Sequence, residues 1–176
     1  MRIVGGAWKS RLIAFPSNKD LRPTPDRVRE TLFNWLGQDL TGAACLDLFA
    51  GSGALGFEAA SRGARRVVMV EHDPEVIRAL GAARERLAAD AVELLRADAL
   101  AFLGGDDGVY DVVFLDPPFA ADYWPRLAPL LPARLAPQGM VYHESARYPE
   151  TGPGWEVRKR GKAGKVTYQL LGRMRI

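Results

Sequence analysis

From residue 43 onward, short apolar segments of strand character alternate with segments of helical periodicity. The predicted strands span residues 44–49, 66–71, 92–95, 110–115 and 139–144, and the main helices between them span residues 54–62 and 74–87. Three prolines make the segment before the last of these strands a broken helix at best. The alternation predicts an α/β fold, with a mostly parallel sheet that carries helices on both faces. Ligands of such sheets bind beyond the carboxyl ends of the strands.

The two ends of the chain have a different texture. Residues 1–16 alternate loosely between apolar and polar side chains, which predicts a basic β-hairpin, and a polar linker follows. We therefore divide the chain into an N-terminal hairpin extension, residues 1–20, and a main domain, residues 21–176. In the tail, predicted strands at 155–160 and 166–171 flank Gly161–Gly164, so an antiparallel hairpin is expected to extend the sheet.

The main domain is expected to begin with an amphipathic helix. Thr24 is its predicted N-cap, Pro25 occupies the first helical position, and Gly37 ends it. The apolar face, at helical spacing, consists of Val28, Leu32, Trp35 and Leu36.

The composition narrows the class of protein. With 48% hydrophobic and 26% charged residues the chain has an ordinary globular composition, and no apolar run is long enough to cross a bilayer. The start, Met1–Gly6, lacks the apolar core of a signal peptide, so a cytoplasmic protein is expected. One cysteine excludes an internal disulfide, and two histidines do not favour a zinc site, so no bound metal is expected.

Positive charge is concentrated at the two ends of the chain. Residues 1–29 hold seven Lys or Arg and two Asp, residues 158–176 hold seven Lys or Arg and no acid, and the middle is acidic. Two basic ends favour a polyphosphate partner such as RNA, although solvated tails would show the same pattern. The candidate phosphate-binding residues are Arg2, Lys9, Arg11, Arg22, Arg158, Arg160, Lys162 and Lys165.

A glycine-rich turn follows the first strand of the main domain. Within Asp47–Gly56 the glycines match the pattern G-x-G-x-x-G, which lets the backbone approach a ligand closely. Alone the pattern is weak, because a tight strand–helix turn without a ligand can have the same sequence. Glu71 and Asp98 end the next two strands, where carboxylates can accept from a ribose diol and from an adenine amino group. The Ala99 N–H would donate to the adenine ring.

Three successive acids at strand ends, Asp47, Glu71 and Asp98, argue against a dinucleotide ligand. A carboxylate just before the glycine turn would repel a pyrophosphate, whereas it suits a cationic ligand. S-adenosylmethionine has an adenosine, an ammonium group and a sulfonium and no phosphate. It therefore fits this set of acids better than NAD does.

The motif Asp116-Pro117-Pro118-Phe119 follows the fourth predicted strand. The prolines hold the chain extended, so the Asp116 carboxylate and the Pro117 carbonyl form two acceptors at a fixed separation. A planar exocyclic amine has two donors, and holding both would aim its nitrogen at a methyl donor. Phe119 offers a face on which a base can stack. We expect Asp116, Pro117 and Phe119 to promote methyl transfer by positioning and electrostatics, without a strong base.

These motifs resemble those of class I methyltransferases that act on exocyclic amines of nucleobases. With Met1–Gly6 and Leu21–Leu36 added, the chain resembles the bacterial 16S rRNA guanine-N2 methyltransferase family of the RsmD type. The resemblance extends over nearly the whole chain and is weakest at residues 120–137 and in the tail. It implies a Rossmann-like fold with a seven-stranded sheet and S-adenosylmethionine as cofactor. It also implies one guanine of 16S rRNA as substrate, in the 30S subunit or its assembly intermediate.

The resemblance further implies roles for individual residues. The Asp116–Phe119 motif would hold the amino group and the base, and Thr24, Arg27 and Glu30 would close over the cofactor pocket. The basic segments 2–11 and 158–165 would flank the catalytic mouth and hold rRNA phosphates. Neither association with a membrane nor an obligate protein partner is expected. The implied cofactor contacts are Thr24, Asp47, Phe49, Gly51, Gly53, Glu71, His72, Asp98 and Ala99.

Other interpretations stay open. Methylation of adenine N6 or cytosine N4 would use the same grip on an amine. An NAD(P)-dependent oxidoreductase would explain the glycine pattern and Glu71, but neither Asp116–Phe119 nor the basic ends. A non-catalytic RNA-binding factor that retains an old cofactor pocket would not require Asp116.

Overall fold

The computed structural model describes residues 1–17, 19–118 and 122–175, and within them seven strands form one sheet. The strands are β1 (Ala44–Asp47), β2 (Arg66–Glu71), β3 (Val92–Arg96), β4 (Tyr110–Leu115), β5 (Leu135–Ser145), β6 (Trp155–Ala163) and β7 (Val166–Arg173). Their order across the sheet is β3-β2-β1-β4-β5-β7-β6. Strands β1 to β5 run parallel, and β7 pairs antiparallel with both β5 and β6. The expected mostly parallel sheet with a C-terminal antiparallel hairpin is confirmed.

Helices cover both faces of this sheet, as predicted. In the described residues they are α1 (Asp26–Trp35), α2 (Ala54–Ser61), α3 (Pro74–Leu87), α4 (Ala99–Gly105) and α5 (Trp124–Leu127). Helices α1, α2 and α3 pack on one face, in a core that includes Phe33, Phe57 and Leu80. Helices α4 and α5 pack on the other face through Leu103 and Leu127. Within this part of the chain no helix has the length and apolar character needed to span a bilayer.

The sheet has two functionally distinct edges. Strands β1 to β5 all end at one edge, which we name the carboxyl edge. They begin at the opposite edge, the amino edge, to which α2 and α3 return the chain. Because Thr167 of β7 lies opposite Ser145 at the end of β5, the β6–β7 turn is also at the carboxyl edge.

The N-terminal segment is a loop that returns on itself, and the predicted β-hairpin is corrected accordingly. Its strand pairing is a single antiparallel bridge between Arg2 and Leu12, and a 3₁₀ turn, Gly6–Trp8, closes the loop. The chain turns at Gly6 with φ +77°, where a Cβ would meet the Ser61 carbonyl of α2, and backbone hydrogen bonds join residues 1–3 to residues 10–13. Ile3 and Ile13 are buried in the same core as α1, α2 and α3.

Helix α1 starts one residue later than predicted. Its N-cap is Pro25 and its first residue is Asp26, so Thr24 is not the cap. The Thr24 hydroxyl faces the sheet and donates to Glu144 Oε2 at 3.2 Å. The buried face consists of Val28, Arg29, Leu32 and Phe33, while Trp35 and Leu36 are half-buried.

The strand bounds agree with the sequence pattern in part: β1 ends at Asp47, two residues before the predicted end, and β3 ends one residue later than predicted. Strands β2 and β4 have the predicted bounds, but β5 starts at Leu135 instead of residue 139. Strand β6 continues through Gly161, which was expected to lie in the turn. A Cβ on Gly161 would lie 2.5 Å from Tyr168 Cζ, so the ring of Tyr168 covers this position of the strand. The described part of the proline-broken segment contains the four-residue helix α5 and a 3₁₀ turn, Pro132–Arg134, in agreement with the predicted broken helix.

Candidate active site

The turn after β1 is built around the buried carboxylate of Asp47. Its Oδ2 accepts a hydrogen bond from the Gly56 N–H at 3.0 Å, which ties β1 to the first turn of α2. Its Oδ1 is buried and has no hydrogen-bond partner among the described residues. Burial raises the pKa of Asp47 to about 7, and the nearby charge of Glu71 adds to the effect that the Gly56 hydrogen bond opposes. A buried carboxylate oxygen without a donor suits a cationic group of a ligand.

Glu71 holds the glycine turn from the neighbouring strand. Its Oε2 accepts from the Gly51 N–H at 3.0 Å, and its Oε1 accepts from the Asp73 N–H at 3.2 Å. Gly51 and Gly53 have φ angles of +52° and +84°, in the left-handed region that favours glycine. A Cβ on Gly53 would also lie 2.6 Å from Phe57 Cδ2, so packing excludes a side chain there.

A first cleft, of about 100 Å³, opens beside this turn at the carboxyl edge. Asp98 Oδ2 accepts from the Ala101 N–H at 3.0 Å and thereby caps α4 at the rim of the cleft. The ring of Phe49 packs edge-on against Tyr123, with centroids 5.0 Å apart. The structure thus brings five candidate cofactor residues into one cleft, namely Phe49, Glu71, His72, Asp98 and Ala99.

A second cleft, of about 230 Å³, adjoins the first. Pro118 and Tyr123 line both clefts, so the two meet at the elbow Asp116–Pro118. The second cleft is further lined by Pro117, His143 and Glu144. A ligand in the first cleft and another in the second would therefore approach each other at the end of β4.

The half-buried Asp116 lies in a group of acidic and hydroxyl side chains. Burial, followed by the charges of Glu144 and Asp47, raises the pKa of Asp116 well above its usual range, and the Thr24 hydroxyl opposes this rise. Thr24 Oγ1 and the Tyr142 hydroxyl both donate to Glu144 Oε2, at 3.2 and 3.1 Å. Burial also raises the pKa of Glu144, and the same two donors limit that rise. Asp116 at the elbow therefore binds a proton more strongly than an ordinary aspartate does.

Glu144 is a site residue that was not predicted from the sequence. An acid at the end of an apolar strand is the signal that singled out Asp47 and Glu71, and it could have identified Glu144 as well. Of the other assignments, Phe119 lies outside the described residues. Arg27 and Glu30 are exposed on α1 and line neither cleft.

The basic tip of the N-terminal loop lies at the amino edge. The Trp8 N–H donates to Ser61 Oγ at the end of α2, at 3.0 Å. The Arg11 guanidinium donates to the Arg86 carbonyl at the end of α3, at 2.9 Å. The expectation that Lys9 and Arg11 flank the catalytic mouth is therefore corrected, because the loop runs along α2 away from the carboxyl edge.

The basic residues of the tail have mixed positions. Lys162 and Lys165 are exposed near the β6–β7 turn, at the carboxyl edge. Arg160 lies over the ring of Tyr148, 4.2 Å from its centroid. Arg158 is half-buried further toward the amino edge. The tail therefore places two exposed lysines at the carboxyl edge, where the clefts open.

Three further cationic residues, Arg2, Arg22 and Arg147, lie near α1 or the second cleft. Arg2 pairs with Asp26 at 2.9 Å, at the start of α1. Arg22 is exposed in the segment that leads to this helix. Arg147, which the sequence pattern did not single out, lines the second cleft.

Two comparisons of the sequence point to one family. A family model described as "Conserved hypothetical protein 95" matches residues 1–172. Ribosomal RNA small subunit methyltransferase D of Escherichia coli strain K12 is 39% identical, over 98% of this chain and 90% of the relative. The protein of the same name from Haemophilus influenzae is 38% identical, over 97% of this chain and 92% of the relative.

Solved structures give the same result for the fold. The Escherichia coli protein yhhF, a methyltransferase candidate, superposes with a TM-score of 0.88 and 40% identity, over 98% of this chain and 97% of that one. An RNA methyltransferase from Salinibacter ruber, in complex with S-adenosyl-L-homocysteine, superposes with a TM-score of 0.67 and 25% identity, over 85% and 92% of the two chains. The chain therefore belongs to the RsmD family, a family of class I S-adenosylmethionine-dependent methyltransferases.

Proposed function

We propose that this protein transfers a methyl group from S-adenosylmethionine to the exocyclic N2 amino group of a guanine in 16S rRNA, within the 30S subunit or its assembly intermediate. The meeting of two clefts at the elbow Asp116–Pro118 is the observation that carries this proposal. The names of the relatives, which are 39% and 38% identical, support rRNA as the substrate class. The cytoplasm, where 16S rRNA is found, is the proposed location.

The first cleft would bind the cofactor through groups of this chain. Glu71 would accept from the ribose hydroxyls, Asp98 would accept from the adenine amino group, and the Ala99 N–H would donate to the ring. The unpaired Oδ1 of Asp47 would accept from the ammonium group. When bound, S-adenosylmethionine supplies the methyl group as an electrophilic carbon on sulfur. The remaining proposed contacts are Thr24, Phe49, Gly51, Gly53 and His72.

The elbow would orient the target amine. The Asp116 carboxylate and the Pro117 carbonyl would each accept one N–H of the amino group, so that the nitrogen faces the first cleft. Positive charge develops on the nitrogen during transfer, and a carboxylate at this position stabilises it. Phe119 would stack on the base, a contact worth about 1–3 kcal/mol in comparable sites.

The basic side chains would hold the phosphates around the target nucleotide. At the carboxyl edge these are Arg22, Lys162 and Lys165. Lys9 and Arg11, at the amino edge, would contact only RNA that extends around the domain. Such contacts position the RNA and carry little sequence information. The other proposed phosphate contacts are Arg2, Arg158 and Arg160.

Tritium transfer from labelled S-adenosylmethionine into unmodified 30S subunits, free rRNA and DNA, followed by nucleoside analysis, tests this function. We expect N2-methylguanosine from the ribosomal substrate. Asp116→Ala should abolish transfer because the amine loses its carboxylate, while the affinity for S-adenosylhomocysteine, measured by calorimetry, changes only a few fold. Asp107→Asn is the matched control, since Asp107 is exposed in the loop before β4, and it should retain full transfer.

Three outcomes would contradict parts of the proposal. Label in adenine or cytosine would assign the enzyme to the alternative amine methyltransferases. Calorimetric binding of NADH and none of S-adenosylhomocysteine would remove the cofactor assignment. Transfer by Asp116→Ala at nearly the wild-type rate would show that the elbow does not grip the amine.

A further inference from the structure

Asp116 and Glu144 follow the same registered pair of two adjacent parallel strands. The last registered pair of β4 and β5 is Leu115 with His143, so Asp116, the first residue after β4, lies beside Glu144 of β5. In parallel strands in register, side chains at equivalent positions point to the same face of the sheet. Glu144 is 5% exposed, and it lines the second cleft next to Pro117. Two carboxyl groups are thus held side by side at the elbow.

The segment before α1 adds a hydroxyl group to these two acids. Thr24 is 2% exposed, and its Oγ1 donates to Glu144 Oε2 at 3.2 Å. The Tyr142 hydroxyl donates to the same oxygen at 3.1 Å. Among the described residues Glu144 therefore accepts from two hydroxyl groups, whereas the Thr24 hydroxyl is the one donor beside Asp116. The negative charge of the pair is better stabilised on Glu144 than on Asp116.

The two carboxyl groups have no ion-pair partner in the part of the chain that the structure describes. Among the described residues, neither Asp116 nor Glu144 forms an ion pair with a Lys, Arg or His side chain. The cleft that Glu144 lines is also lined by Asp122, His143 and the exposed Arg147. Asp47 from β1 and Tyr142 from β5 face the two acids as well, and the Tyr168 ring of β7 packs on that of Tyr142, with centroids 6.5 Å apart. Two partly desolvated acids without a cation repel each other, so their ionisations are coupled.

We infer that Glu144 is a positioning residue that sets the ionisation of Asp116, and that the two carboxyl groups with Thr24 form one unit that takes up the proton released by amine methylation. This inference rests on the proposed function. The nitrogen lone pair forms the N–C bond, the electron pair of the broken S–C bond stays with sulfur, and the nitrogen loses one proton. That proton goes to the Asp116 carboxylate, which accepts an N–H of the amine, and the Thr24 hydroxyl links Asp116 to Glu144.

The charge of Glu144 is tested by the pH dependence of single-turnover methyl transfer. Removal of that charge in Glu144→Gln lets Asp116 ionise more easily, so the acid limb of the profile should move to lower pH by about one unit. Glu144→Asp keeps the charge and should keep the limb near its wild-type position. Thr24→Val removes the hydroxyl that donates to Glu144 and lies beside Asp116, so the two carboxylates are less well stabilised and the limb should move to higher pH. Asp107→Asn controls for the loss of any one negative charge.

A second measurement does not depend on activity. The carboxyl resonances of ¹³C-labelled aspartate, with Asp116 assigned through Asp116→Asn, report the titration of Asp116 directly. Asp116 should titrate at lower pH in Glu144→Gln and at higher pH in Thr24→Val. If Glu144→Gln does not fold, the Thr24→Val titration decides alone.

An Asp116 titration that neither variant moves overturns the inference. The proposed function is judged separately, because it stands or falls with the methylated nucleoside and with Asp116→Ala. A shifted titration in an inactive Glu144→Gln supports the inference, since coupling is then shown without turnover. An unshifted titration in an active variant refutes the coupling and leaves the methyltransferase intact.

Discussion

At the scale of single residues, each acid at the carboxyl edge is accommodated in a different way. Glu71 accepts from two backbone N–H groups. Asp47 accepts from one and keeps one oxygen unpaired, and Glu144 accepts from two hydroxyl groups. A buried acid with fewer donors holds its proton more strongly. The unpaired oxygen of Asp47 is therefore the one that a cationic group of a ligand can stabilise most.

Asp47 should make the stability of the protein depend on pH. Its pKa of about 7 in the folded protein lies above the ordinary value of 3.8, so the folded state binds a proton that the unfolded state releases. The contribution to stability is complete below the ordinary value and is lost as the pH rises through about 7. Asp47→Asn removes this dependence. The free energy of unfolding of the variant relative to wild type should rise between acidic and alkaline pH by on the order of 3 kcal/mol.

Urea unfolding of both proteins at a pH near 4 and a pH near 8 measures this difference. Other titrating groups cancel because they are common to the two proteins. An equal difference in unfolding free energy at the two pH values would show that Asp47 ionises normally. A larger relative stability of Asp47→Asn at alkaline pH confirms the prediction.

At the scale of elements, the glycine turn between β1 and α2 combines two constraints. Gly53 needs a left-handed φ of +84°, and the space where a side chain would start is filled by Phe57 and Leu80. Gly42 has almost the same φ, +83°, but no atom lies within 4 Å of the position of its Cβ. A substitution of Gly42 therefore tests backbone strain alone, whereas a substitution of Gly53 tests backbone strain and steric overlap together.

Gly53→Ala should destabilise the protein more than Gly42→Ala does. Backbone strain alone costs about 1 kcal/mol in Gly42→Ala. In Gly53→Ala the overlap with Phe57 adds a further ~1–3 kcal/mol. Urea unfolding measures both costs, and calorimetry with S-adenosylhomocysteine should show weaker binding only for Gly53→Ala. Equal costs for the two substitutions would mean that α2 shifts freely and that the packing around Gly53 is loose.

At the scale of the whole molecule, the arrangement of positive charge is asymmetric between the two edges. Lys165 lies at the carboxyl edge with the clefts, and Lys9 lies in the loop tip that packs at the amino edge. Both side chains are exposed. The net charge of the chain therefore says less about RNA binding than does the edge of the sheet at which each charged side chain lies.

Lys165→Gln should weaken binding of rRNA more than Lys9→Gln does. A lysine that contacts a phosphate contributes about one unit to the dependence of log K on log salt. Filter binding of 30S subunits over a series of salt concentrations measures this slope for both variants. We expect a shallower slope for Lys165→Gln and the wild-type slope for Lys9→Gln. A shallower slope for Lys9→Gln alone would show that the RNA contacts the amino edge.

The sequence determined those features that depend on neighbouring residues. Alternation of apolar strands and helices predicts the α/β sheet, and the glycine turn and the Asp-Pro-Pro elbow identify the strand ends where chemistry is expected. Helix α3 has the predicted bounds, and it starts at residue 74 because Asp73 caps it locally by accepting from the Glu75 and Val76 N–H groups. The N-terminal hairpin was predicted less well, since packing against α2 and not local propensity decides its shape.

Only the tertiary structure decided which distant groups meet. Thr24 and Glu144 are 120 residues apart, and the sequence pattern assigned Thr24 to a helix cap. Their contact arises because β5 lies beside β4 and α1 begins over the end of both strands. The position of the basic loop was decided in the same way, by packing along α2 to the amino edge. Local propensities act over a few residues, whereas the burial of an acid and the edge on which a charge lies depend on the packing of the whole chain.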